Sequence, residues 1–352
     1  MTRVFKLLAD SQIRRLGAWA LRAIGPILLA VLLLRFVDYG ELRDAFAGME
    51  LSWGLAALAI VQVFLVLRAF RWIEIHRAFG LADAPLSYHL RLSYATNLAA
   101  TVLPQVLNTF YRPVLMVQDG YRARRALAGS ILEKLGEFAA FIAFGLYGSL
   151  FLAHTFAGLV WWAIGLTVLA VAATAFAWLF RSRLARLAVD LIERIPGLDG
   201  GGEEDRAEAA HQIVSLNSRV LLRIFAWSLV IALTQATMLY FLARSLDVGL
   251  SFPFMVAAWG IVALSMLLPI SINGIGTREA VLVAAFHAAD KSTDAAVALG
   301  LLVLVIGALG SAPGAIEWVR RTVNATGRPT TTNAQSAMRA NAPSAAEREP
   351  RH

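Results

Sequence analysis

Apolar and polar segments alternate along this 352-residue chain, with apolar stretches at about 16–37, 51–70, 93–116, 126–152, 157–180, 221–243, 253–289 and 294–317. Most reach the roughly 20 apolar residues that a helix needs to cross a bilayer. The pattern predicts an all-α polytopic membrane protein. Two stretches are interrupted from within. Residues 103–112 read Leu-Pro-Gln-Val-Leu-Asn-Thr-Phe-Tyr-Arg, and residues 268–278 read Leu-Pro-Ile-Ser-Ile-Asn-Gly-Ile-Gly-Thr-Arg. Leu-Pro followed by Asn at one fixed spacing therefore recurs in the two halves. Proline removes a backbone donor and clashes with the preceding helical turn, and glycine takes backbone angles that other residues resist. Each interrupted stretch is predicted to be a re-entrant helical hairpin.

Charge orients the segments through the cytoplasmic excess of Lys and Arg. If 93–116 crossed the membrane, Arg112, Arg122, Arg124 and Arg125 would face outward, with the arginines of the 181–220 loop. If it returns to the side it came from, the external basic residues reduce to Arg35, Arg43, Arg244 and Lys291, with Lys134 and Arg278 inside membrane segments. The order is then crossing, crossing, hairpin, crossing, twice over. That gives about six crossings plus two hairpins, with halves 16–152 and 157–317 in inverted orientation, a plan common among secondary transporters. Two crossings at 253–289 would keep the same parity, so charge leaves both readings open there. Residues 1–15 and the tail 321–352 fall on the cytoplasmic side of the plasma (inner) membrane. The tail is rich in Thr, Asn, Ala and Pro without apolar periodicity and is expected to be disordered. Residues 16–37 lack a small-residue cleavage site and are expected to stay as the first helix of a transmembrane domain over 16–320.

Composition narrows the chemistry. Hydrophobic residues make up 58% of the chain and charged ones 16%, against about 45–50% and 25% for soluble domains. There is no cysteine, and the six histidines follow no metal-ligand spacing. No metal site and no cofactor are expected. The net charge of +8 follows from the cytoplasmic loops, not from nucleic-acid binding.

The residues with chemistry to offer gather at the interruptions. In hydrocarbon, non-helical backbone is confined to the protein interior or a wet cavity, which predicts that Ser271, Asn273, Gly274 and Gly276 line one. Thr277 suits a helix N-cap, and Glu279 in the first turn suits the helix dipole. A helix start pointing into the membrane is an anion site, and Arg278 adds a guanidinium fork suited to phosphate. Arg278 reads equally as the partner of a buried carboxylate. In the first interruption Asn108 or Thr109 suits the cap of the returning arm, with Pro113 in its first turn, and Arg112 either lines the pocket or snorkels to the interface. Glu133 and Glu137 share a helical face around Lys134. They suit pairing with Arg112 or Arg278, proton coupling, or a plain interfacial position. Arg68, Arg71 and Arg77 with Glu74 read chiefly as anchors at the end of the second segment.

Together, Arg68-Ala-Phe-Arg71-Trp72, Asn97 with Leu103-Pro104, Glu133-Lys134-Leu135 and above all Pro269-Ile-Ser-Ile-Asn-Gly-Ile-Gly-Thr-Arg-Glu279 resemble the transmembrane, flippase-like domain of lysylphosphatidylglycerol synthases. The resemblance covers about residues 15–320. The chain departs from it at Asn108-Thr109, where a Gly-Glu pair is expected, and has no counterpart of the soluble aminoacyl-transferase domain. The resemblance implies handling of a membrane lipid with a phosphate-bearing headgroup. The expected function is movement of such a lipid, or of a lipid-linked glycan, between leaflets, with no enzymatic activity. A non-transporting partner of an envelope-lipid or glycan enzyme is the alternative, and an intramembrane transferase a weaker one.

Overall fold

The computed structural model describes residues 47–81, 84–102, 105–153, 217–265 and 277–326, with residue 40 and four positions between 164 and 172. All regular structure among the described residues is helical: α1 (Leu51–Ala78), α2 (Leu86–Val102), α3 (Gln105–Gln118), α4 (Ala123–Ala153), α5 (Ser218–Ser245), α6 (Phe252–Ser265), α7 (Thr277–Ala288), α8 (Thr293–Ser311) and α9 (Gly314–Thr326). Three of them, α1, α5 and α8, are long and apolar enough to cross a membrane. The first apolar segment, most of 157–180, most of the 181–220 loop, Leu103-Pro104, and Ser271, Asn273, Gly274 and Gly276 lie outside the described residues.

Helix ends depart from the apolar windows where packing overrides hydropathy. Helix α1 runs to Ala78 because Arg68, Arg71 and His76 turn inward and are buried. The eighth segment ends at Ser311, and the chain turns at Ala312-Pro313 into the separate helix α9. That helix reaches into the stretch expected to be disordered; residues 327–352 are outside the description. Helix α3 begins at Gln105, so Asn108 and Thr109 stand inside it and do not cap it, and Pro113 sits well past its first turn.

Between Ala78 and Ala123 the chain forms a helical hairpin. Tyr88 near the start of α2 donates to Asp119 just past α3 at 3.0 Å, and Arg112 on α3 donates to Ser93 on α2 at 2.7 Å. These pairs are nearly equidistant from the 103–104 break, as antiparallel arms require. At 17 and 14 residues the arms span about 25 and 21 Å at 1.5 Å per residue. Helices α6 and α7, of 14 and 12 residues, are similarly short and pack on one another.

The described helices thus follow one order twice: a long helix, a short pair, a long helix. Their packing recurs too. Helix α1 meets α2 as α5 meets α6, α3 meets α4 as α7 meets α8, and α4 lies on α6 and α5 as α8 lies on α2 and α1. The corresponding helices α1 and α5 pack along each other in opposite directions. The Glu50 amide at the head of α1 donates to the Ser245 carbonyl at the foot of α5 (2.9 Å), and Arg71 reaches Ser228 further along.

Helices α4 and α6 cross closely. A methyl on Gly148 would overlap the Ala257 carbonyl, and one on Gly260 would overlap the Phe144 carbonyl. Small residues let helix backbones touch where lipid supplies no hydrophobic drive between helices.

Candidate functional site

The site begins with two arginines three residues apart on α1. Arg71 is wholly buried and donates to Glu133 (2.5 Å) and Glu137 (2.8 Å) on α4, and to the Ser228 hydroxyl on α5 (3.0 Å). Arg68 reaches Glu133 at 3.3 Å and the Asn97 side-chain oxygen on α2 at 3.4 Å. Lys134 donates to the other oxygen of Glu137 at 2.7 Å. The Asn97 amide then donates to Ser311 on α8 at 2.6 Å. A continuous polar ladder therefore runs from α4 through α1 and α2 to α8. Both glutamates form charge-assisted bonds, and burial strengthens each one by excluding competing water.

This ladder replaces two expectations. Glu133 and Glu137 pair with Arg68, Arg71 and Lys134, not with Arg112 or Arg278. Arg68 and Arg71 are buried parts of the network, not interfacial anchors, and only Arg77 remains exposed, at 3.7 Å from Glu74.

Two adjoining cavities open beside the ladder. One, of about 120 Å³, is lined by Arg68, Asn97, Asn108, Lys134, Glu137 and Gln235 among others. The second, of about 140 Å³, is lined by Asn97, Thr101, Thr234, Gln235, Trp259 and Arg278 among others. They share Phe64, Asn97, Ala100, Gln235 and Trp259. Both short helix pairs contribute walls: Asn97 and Asn108 come from α2 and α3, Trp259 and Arg278 from α6 and α7. The Asn108 side-chain oxygen is buried without a hydrogen-bond partner.

Helix α7 begins at Thr277, with Glu279 in its first turn. Arg278 is buried and directs Nε (3.0 Å) and Nη2 (2.5 Å) onto Glu279. Its carboxylate partner is thus its own chain neighbour, and Arg278 is among the residues lining the second cavity. Arg112 lies elsewhere. Buried among the hairpin arms, it donates to Ser93 and stacks over Trp72, its guanidinium carbon 4.5 Å from the ring centre. This cation–π contact joins α3 to α1, and Arg112 lines neither cavity.

Sequence reasoning passed over Thr234, Gln235 and Ser228. Their signal was available as polar residues inside an otherwise apolar helix, since a polar side chain in a membrane segment turns toward protein or a cavity. Among the described residues no group of three or more metal-ligating side chains occurs.

Comparison with known proteins agrees with the motif. The model of one family, the lysylphosphatidylglycerol synthase TM region, matches residues 19–314. No curated protein matches the chain.

Proposed function

This chain belongs to the lysylphosphatidylglycerol synthase transmembrane family, and from that premise we propose that it is a flippase-like transporter that moves a phosphate-bearing lipid, or a lipid-linked glycan, between leaflets. The observation that carries the reading is the pair of adjoining cavities to which both short helix pairs contribute walls, lined by Arg68, Lys134 and Arg278 among others.

A phosphate entering there meets cations from α1, α4 and α7. Lys134 can exchange Glu137 for the phosphate while Glu137 keeps Arg71, so the ladder persists when lipid binds. The unfilled acceptor of Asn108 suits a hydroxyl of the same headgroup. Lipid, not protein, is the proposed partner, and we assign no catalytic step.

The architecture we propose is an inverted repeat of about six crossings and two re-entrant hairpins. Its supports are the recurrent packing, the opposed directions of α1 and α5, and hairpin arms shorter than the roughly 30 Å hydrocarbon core. Such repeats supply two related states open to opposite sides. We place both termini on the cytoplasmic side of the plasma membrane, on the strength of the charge distribution.

The test is reconstitution in vesicles of phosphatidylethanolamine and phosphatidylglycerol containing a fluorescent phosphatidylglycerol. Dithionite, which quenches only outer-leaflet probe, should quench beyond that fraction when protein is present. Quenching that stops at the outer leaflet for both lipid and lipid-linked glycan probes would favour a non-transporting partner of an envelope-lipid enzyme.

A further inference from the structure

Helix α9 has its polarity inside out. Its charged side faces protein: Glu317 is buried, and Arg321 donates to Glu317 (2.9 Å), Asp119 (2.6 Å), Gln118 (3.2 Å) and the Leu115 carbonyl (3.0 Å). Gly314 sits so close to α2 that a methyl there would overlap the Tyr94 carbonyl. The opposite face carries Ile316, Val319 and Val323, which are 71%, 63% and 61% exposed. Their spacing of three and four residues forms one stripe. A surface helix in water carries the reverse arrangement, apolar inward and charged outward.

That arrangement makes physical sense only if the surroundings of the stripe are apolar. The stripe also continues a lipid-facing surface. Val305 and Leu309, just before the turn, are exposed on α8, so the outward apolar surface runs around the Ala312-Pro313 corner. At 13 residues the helix is about 20 Å long, too short to cross. Arg320 flanks the stripe with half its side chain exposed, where its stem can lie along acyl chains and its head reach the headgroups.

We propose that α9 lies in the plane of the membrane interface, at the open end of the α2–α3 hairpin. Ile316, Val319 and Val323 enter the acyl boundary of that leaflet, as in other interfacial amphipathic helices. Through Arg321, α9 ties the hairpin's outer corner at Leu115–Asp119 to the membrane surface. The partner is therefore the lipid leaflet itself, and the inference does not depend on transport.

The absence of native cysteine permits a direct test. A nitroxide is attached at Val319→Cys, and at the exposed Arg77→Cys as a water-facing reference, in vesicles of phosphatidylethanolamine and phosphatidylglycerol. At position 319, collisions with oxygen should exceed those with a water-soluble nickel chelate, and the reverse should hold at position 77. A nitroxide at 319 as open to the chelate as that at 77 would overturn the proposal, and would mean that the stripe faces water or awaits a protein. Arg321→Ala should raise hydrogen exchange severalfold over 115–119 while the depth at 319 is kept. Exchange unchanged over 115–119 would remove the tie to the hairpin.

Discussion

Arg71 and Glu133 form a wholly internal ion pair: the guanidinium donates at 2.5 Å, with the two side chains 0% and 5% exposed. Glu137 takes a second bond from the same nitrogen. The pair ties the end of α1 to α4 and sets the wall from which Arg68 and Lys134 reach the cavity.

Removing one member of such a pair strands a charge in a low-dielectric interior, at a cost of about 3–5 kcal/mol. Arg71→Met should therefore destabilise the protein, though by less than that amount, since Arg68 still reaches Glu133 at 3.3 Å and Lys134 still holds Glu137 at 2.7 Å. Adding Glu133→Gln should recover part of the loss. Thermal unfolding in detergent measures both, and equal midpoints for single and double variants would deny the pairing its structural weight.

Lys134→Met should separate stability from function. Glu137 keeps its bond to Arg71, so the unfolding midpoint should fall little. The cavity loses a cation, so movement of fluorescent phosphatidylglycerol should drop sharply. Undiminished movement in this variant would take Lys134 out of the lipid site.

Arg278→Lys tests the fork. Lysine keeps the charge but loses the planar two-point geometry, so a folded protein with defective lipid movement is expected. Because the partner of Arg278 is Glu279, the matching control is Arg278→Met with Glu279→Gln. It should fold better than Arg278→Met alone yet stay inactive. Normal transport by the double variant would reduce Arg278 to a scaffold.

Gly260→Val should be far more damaging than Gly165→Val. The first forces a side chain into the Phe144 carbonyl, whereas a methyl on Gly165 would meet no atom beyond its chain neighbours and own helix backbone within 4 Å among the described residues. Unfolding midpoints should separate the two variants clearly; similar midpoints would show that α4 and α6 can part without penalty.

Single cysteines report topology. Gln118→Cys and Gly202→Cys should resist an impermeant external thiol reagent in intact cells, while Ala47→Cys should react. Labelling at 118 from outside would make the first hairpin a crossing and end the inverted arrangement.

The all-helical class and the family were legible in the residues, because hydropathy and helix-breaking chemistry are local properties. Lipid obliges every backbone group to find an internal partner, so apolar windows and the two Leu-Pro-x-x-x-Asn interruptions outline the helices by themselves. The long-range match of Glu133 and Glu137 was not legible in this way. Which arginine they meet depends on how α1 is rotated against α4, and that rotation follows from packing among helices far apart in sequence, including the contacts at Gly148 and Gly260. The same long-range packing turned Arg112 away from the cavities onto Trp72, and brought Asn97, Gln235 and Trp259 into one wall. It also folded α9 back onto the hairpin. Residue spacing says which side chains share a face of a helix; only the tertiary structure decides what that face meets.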